Sequence, residues 1–442
     1  ILQLSHDASA VGILRPTTSP GVAAPSVPRL GLAPLKKPTK IDKARQIACM
    51  LRFKLKASAV KKLRNAQDDE DTRVCFDLLR QVSRSFAVVI DNLCDELRTP
   101  VCLFYIVLRA LDTVEDEVKV STEKRAAHLR VFHKYLNAPE DVPADICGED
   151  TPYGSEAEGY RNLMLAFPKV VGVLNSIRPE YKHVIVRATR RMADGMLLFL
   201  DKQNNIGTVT EYNDYCFWVA GIVGLGLSDL FVSSGLEPML ASSGPFQAEH
   251  PEAATEEVPL LEADNMQAVL AAYAGGAPAP VASATAMSLF LQKTNVIRDY
   301  FEDLPDERLW WPSSVWRVWA PEDPALFKTP EGVDAGLGCL NTLVGEALVH
   351  FPFCIAYLAR LSEPSVLSFC AIPQAMALAT LHQVLNNDQV FHVNVKVSRG
   401  ETCEILTTIE SNGLAGFHKL ATKYVESMLL RTQQHPNVFL NV

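Results

Sequence analysis

Asp112, Glu115 and Asp116 stand within "LRALDTVEDEV" (108–118), directly after the apolar run "PVCLFYIV". On a helix, residues three and four apart share a face, so these carboxylates form one stripe. Like charges at that spacing repel, and in a buried helix they need a counter-charge. A second stripe follows in "LFLQKTNVIRDYFEDL" (289–304), where Gln292, Asn295, Asp299, Glu302 and Asp303 project to one side. Facing each other across a cavity, two such stripes would bind hard divalent cations. Mg2+ favours a few carboxylates, with water and phosphate oxygens filling its remaining positions. Arg84, Arg109, Arg298 and Arg308 are the nearby cations, and Mg2+ and arginine together neutralise a departing diphosphate. One acidic stripe alone is an ordinary solvated helix face; two set into apolar helices point to diphosphate ionisation. Neither stretch has the glycine-turned loop of an EF-hand, which argues against calcium.

Such stripes need long helices to carry them, and the chain has the material. It has 442 residues, of which 48% are hydrophobic, enough for a large buried core. From about residue 41 the apolar spacing is helical almost without interruption, as in "DTRVCFDLLRQVSRSFAVVIDNL" and "KHVIVRATRRMADGMLLFLDKQ". Strand-type alternation is nearly absent, so an all-α protein larger than a four-helix bundle is expected. The net charge of -9 and pI near 5.6 exclude a broad nucleic-acid footprint. Ten cysteines without C-x-x-C spacing fit a reduced, cytosol-facing setting. No run of about 18 uncharged apolar residues is present, so no membrane-spanning segment is expected in the chain as it stands.

Two stretches stand apart. Residues 1–40 are rich in Ser, Thr, Pro and Ala and read as a flexible leader, leaving 41–442 as one domain. Residues 236–285 are acidic and rich in Ala, Pro and Gly, and read as a mostly disordered surface insertion between two core helices. The glycines of "AGIVGLG" (Gly221, Gly224, Gly226) follow no strand, so they indicate close helix packing or a kink, and not a dinucleotide-binding turn.

The chain resembles the squalene synthases. The resemblance covers about 41–235 and 286–435 and rests on "VSRSFAVVI" (82–90), "FYIVLRALDTVEDE" (104–117), "MADGM" (192–196), "DYCFWVAGIVGLGLS" (214–228), "LFLQKTNVIRDYFED" (289–303) and "FCAIPQAMALATL" (369–381). It implies the all-α isoprenoid synthase fold, one large helical domain around a central cavity. Two farnesyl diphosphates would condense head-to-head to presqualene diphosphate, which NADPH, or alternatively NADH, would reduce to squalene. By the same resemblance Asp112, Asp116, Asp299 and Asp303, with Glu115 and Glu302, hold Mg2+ (or Mn2+). Ser83, Arg84, Ser85, Arg109, Arg298 and Arg308 bind diphosphate. Tyr215 removes the proton at cyclopropane closure, Phe369 serves the second half-reaction, and Asn295, Lys396 and Arg399 meet the nicotinamide cofactor.

Taken singly, Tyr215 and Phe369 also fit plain core positions. Phe217 and Trp218 stand where the family usually has His-Tyr, and Ser398 in "KVSRG" (396–400) replaces an arginine, which bears on the reductive step. The alternatives are a relative that stops at presqualene diphosphate or forms an unreduced, dehydrosqualene- or phytoene-like product, and a non-catalytic isoprenoid-binding scaffold. "FCAIPQAMALATL" and "NNDQVF" (386–391) favour the reductive enzyme over the first, and retention of both acidic motifs with Tyr215 argues against the second. The family typically ends in a hydrophobic C-terminal anchor, whereas this sequence stops at "HPNVFLNV". The resemblance thus implies a monomeric enzyme at the endoplasmic reticulum membrane, on its cytosolic face.

Overall fold

Local capping chemistry starts several of the helices. In the computed structural model, which describes residues 68–200, 206–237, 280–306 and 309–432, Asp69 accepts the Thr72 N–H at 2.7 Å and opens α1 (Glu70–Val82). Ser83 ends α1 and opens α2 (Arg84–Asp91) by accepting the Phe86 N–H at 3.3 Å. Then come α3 (Asp95–Asp116), α4 (Thr122–Val131), α5 (Glu158–Leu165), α6 (Phe167–Leu174) and α7 (Pro179–Phe199). A capping box of Thr208 and Glu211 starts α8 (Val209–Cys216), which runs through a π turn (Phe217–Gly221) into α9 (Ile222–Ser233). The second half holds α10 (Pro280–Arg298), the single turn α11 (Tyr300–Asp303), α12 (Ser313–Trp319), α13 (Val333–Leu348), α14 (Phe351–Leu358), α15 (Pro364–Val384) and α16 (Arg399–Thr432). Among the described residues there is no strand, and the all-α expectation holds.

Two helices organise the rest. α3 is buried nearly all round from Leu97 to Val114 and packs against α1, α4, α7 and α9. α10 packs against α9, α13, α14, α15 and the π turn. The first acidic motif ends α3, and the second follows directly on α10. The α9–α10 approach depends on Gly224, where a Cβ would stand 2.8 Å from the Ala284 carbonyl oxygen and 2.2 Å from Ser288 Oγ. Close helix packing, expected for that glycine, is what the structure has.

Two expectations are corrected. The insertion does not reach 285, because α10 begins at Pro280 and Ala282 and Ala284 are buried in the core. At the other margin Glu237 is fully buried and accepts the N–H groups of Ser362 (2.7 Å) and Glu363 (2.8 Å). The remainder of that stretch, and the leader at 1–40, lie outside the described residues. Second, the helical runs Val209–Ser233, Val333–Leu358 and Pro364–Val384 are by length and composition apolar enough to cross a membrane. Within each, 56%, 56% and 67% of the apolar window is buried in the fold, as befits helices that are apolar on every side at the centre of a large helical protein.

Candidate active site

The first acidic motif occupies the last turns of α3. Arg109 pairs with Asp112 at 3.3 Å, both about a quarter exposed (30% and 24%) and so within reach of a ligand. Burial pushes the Asp112 carboxyl up to about 6; Arg109 pulls it down and Asp116 adds to the rise. Glu115 is also held well above the usual carboxylate range by burial, by Asp116 and Asp112, and by a hydrogen bond with Asp116. Its counter-charge is Arg125, whose guanidinium donates to the Glu115 carbonyl oxygen. Glu117 is buried and accepts both the N–H and the hydroxyl of Ser155 at 3.0 Å, pinning the following loop. Thr113, Asp116, Glu156 and Tyr160, whose ring lies 5.8 Å from the Arg109 guanidinium, line with Arg109 and Glu117 a small cleft.

The second motif is not one straight helix. α10 stops at Arg298, and Asp299 (φ -87°, ψ 8°) turns the chain into α11. The stripe survives the break: Asp299 N–H donates to the Asn295 carbonyl, and the Asp299 carbonyl accepts from Glu302 and Asp303, each at 2.9 Å. Arg298 grips both oxygens of Asp299, at 2.7 and 2.9 Å. Asn295 is exposed on the same side. Glu302 accepts from the Asn394 amide and lies 3.6 Å from Lys396, which brings the segment before α16 to this motif.

Tyr215, in the last turn of α8, connects the two. Burial holds its phenol well above the ordinary value, and the charges of Glu115, Asp116 and Asp303 push the same way. One ring therefore sits in the field of carboxylates from both motifs. Trp310 stacks on it with centroids 4.1 Å apart and planes 8° from parallel, while Phe199 meets it edge-on at 5.5 Å.

Other expected positions are distributed around this centre. Phe369 on α15 is buried and packs edge-on against Phe231 at 6.1 Å. Ser83 is the cap of α2 described above. Arg84 and Ser85 open that helix, but their side chains lie outside the described residues, as does Arg308. Arg399 is exposed at the start of α16, and Ser398 caps that helix by accepting the Glu401 N–H at 3.2 Å. Phe217 is buried, and Trp218 fits because residue 195 is glycine: a Cβ there would lie 2.5 Å from Trp218 Cβ. Sequence reasoning missed Trp310 and Lys293. The latter is buried on α10, donates to the Glu346 carbonyl at 3.3 Å and lies 5.5 Å from the Tyr212 ring centre. The doubled aromatics of "LWWP" were the one available signal for Trp310.

The carboxylates of both motifs are hard oxygen donors, the chemistry a hard cation prefers. Among the described residues no three His, Cys, Asp or Glu side chains converge into a ready-made cage. The crowded, up-shifted Asp112 and Glu115 are carboxylates that a cation would relieve.

The model of the squalene/phytoene synthases matches residues 79–401, a span holding both acidic motifs and Tyr215. The chain belongs to the squalene/phytoene synthase family. Within that family it is 37% identical to squalene synthase ERG9 of Candida albicans over 369 residues, 82% of this chain and 72% of that one. It is 35% identical to the human squalene synthase over 384 residues, 86% and 80% of the two chains. The solved structure of TcSQS with the ligand BPH1237 superposes with a TM-score of 0.68 at 37% identity, covering 82% of this chain and 92% of the other. Family members of this kind are prenyl-transferring enzymes, and the all-α isoprenoid synthase fold is shared.

Proposed function

We propose that the protein is a squalene synthase that joins two farnesyl diphosphates head-to-head and then reduces the product with NADPH. The observation that carries this reading is the 37% identity to a squalene synthase over 82% of the chain, a span that keeps both acidic motifs and Tyr215. In the first step the C–O bond of one substrate breaks and its diphosphate leaves with the electron pair. The double bond of the second substrate attacks the allylic carbon so exposed. Loss of one proton closes the cyclopropane, giving presqualene diphosphate, diphosphate and a proton. Tyr215 takes up that proton as it passes its own to the departing diphosphate. A phenol held above its ordinary value keeps its proton at rest, so a relay suits it better than a free phenolate.

Arg109 and Arg298, with Ser83, Arg84, Ser85 and Arg308, hold the diphosphates by charge and hydrogen bonding. Asp112, Asp116, Asp299 and Asp303, supported by Glu115 and Glu302, would hold Mg2+ or Mn2+, which when bound neutralises the diphosphate charge. In the second half-reaction presqualene diphosphate loses its diphosphate and accepts hydride. Phe369 and Phe231 supply an apolar wall that keeps water from the cation. NADPH, with NADH as the alternative, supplies the hydride when bound beside Asn295, Lys396 and Arg399. All three are exposed, and two are cations suited to phosphate. The same reading has a monomer working on the cytosolic face of the endoplasmic reticulum membrane, held by a C-terminal anchor. The described cysteines are all free thiols, as suits that reducing side.

The test is product analysis with farnesyl diphosphate and Mg2+, with and without NADPH. Squalene formed only with NADPH, and presqualene diphosphate accumulating without it, is expected. Presqualene diphosphate in both reactions would sink the reductive half; no product in either would sink the whole reading.

A further inference from the structure

Tyr215 and Trp310 are both only partly buried and pack against the margin of the core as a stacked pair. The indole is held from two sides. Its neighbour Trp311 is 1% exposed, donates its indole N–H to the Val296 carbonyl of α10 at 3.0 Å and packs on Tyr300 of α11 at 4.9 Å. Further on, the N–H groups of Ser313 and Ser314 donate to the Ile206 and Gly207 carbonyls (2.7 and 2.8 Å), immediately before the helix that carries Tyr215. The segment thus bridges the second acidic motif and the start of α8. With Phe199 edge-on, the phenol can neither flip nor swing without breaking the stack.

We propose that Trp310 is a positioning residue for the first half-reaction: stacked on Tyr215, its indole fixes the direction in which the phenol hydroxyl points. The inference rests on the reading of Tyr215 as the proton-transfer residue. A flat partner on one ring face restrains tilt and ring rotation and leaves the hydroxyl edge clear. Proton relay demands that restraint, since a misplacement of about 1 Å at a reacting group can cost about a hundredfold in rate.

The test follows presqualene diphosphate formation by the full chain, with farnesyl diphosphate and Mg2+ and without NADPH, for Trp310→Ala, Trp310→Phe, Tyr215→Phe and the double variant Trp310→Ala/Tyr215→Phe. The expected result is a kcat lower by about 10- to 100-fold for Trp310→Ala with KM within about threefold, and recovery of most of the rate in Trp310→Phe. The double variant should be no slower than Tyr215→Phe, because a residue acting only through Tyr215 adds nothing once the hydroxyl is gone. A purely structural role would instead multiply the two losses, and that outcome overturns the inference, as does a wild-type kcat in Trp310→Ala or a loss confined to KM. Should the alanine variant fail to fold, Trp310→Leu fills the volume without a flat face and carries the same expectation. A wild-type rate in Tyr215→Phe would overturn the Tyr215 reading itself, a result separate from any of these.

Discussion

Asp112 shows how a functional carboxylate costs the fold stability. Its folded value of about 6 lies above the ordinary 3.8, so between those values the folded protein holds a proton that the unfolded chain releases. The stabilisation is complete below the ordinary value and is lost as pH rises through about 6. Half-buried His382, pushed down to about 4 by partial burial and by Arg431 and Lys423, acts in the opposite sense, since its stabilisation is lost as pH falls. The parent alone would therefore mix the two, and the difference between parent and Asp112→Asn isolates the carboxylate. Metal-free Asp112→Asn should be more stable than the parent at pH 7.5 by about 1–2 kcal/mol, a figure reduced for partial exposure, with the gap narrowing as pH falls below about 6 and closing only near the ordinary value of 3.8. Denaturant unfolding across that range checks it, and a gap that does not change with pH would show that Asp112 titrates normally. Turnover of the same variant should collapse.

At the scale of elements, the reach of the sequence was set by what repeats. The two carboxylate stripes were legible because helical spacing repeats and their apolar setting is local. The break at Asp299 was not, because the carbonyl bonds that continue the stripe across it look the same in projection. Residues 280–285, the first turns of α10, were misassigned to a linker, since small residues are common both in loops and where helices touch closely. The stack of Trp310 on Tyr215 joins two segments far apart in sequence and follows no period. Gly224 carries the α9–α10 contact, so Gly224→Ala should cost about 1–3 kcal/mol by overpacking and lower kcat by shifting the helix that bears the second motif. Adding Ser288→Ala should recover only part of the loss, because the Ala284 carbonyl remains 2.8 Å from the new methyl. Denaturation midpoints of the single and double variants measure this; full recovery would mean that the hydroxyl was the whole obstacle.

For the whole molecule, the first acidic motif ends α3 and the second follows the end of α10, so the two come from different halves of the chain. No three acidic, His or Cys side chains among the described residues form a cage, so Mg2+ by itself has few protein ligands to gather. A diphosphate gives the cation the missing oxygens and, with Arg109 and Arg298 beside it, ties one half to the other. Binding to the folded state alone raises stability by mass action, about 2.7 kcal/mol at a ligand concentration 100 times Kd. The thermal midpoint should therefore move little with Mg2+ or inorganic diphosphate alone and by a few degrees with both, more than the two separate shifts combined. Asp112→Asn and Asp299→Asn should each remove most of that excess, since each takes a carboxylate from a different helix. A shift with Mg2+ alone equal to that with both would mean that the protein binds the metal without its substrate, and that the two motifs do not depend on diphosphate to act together.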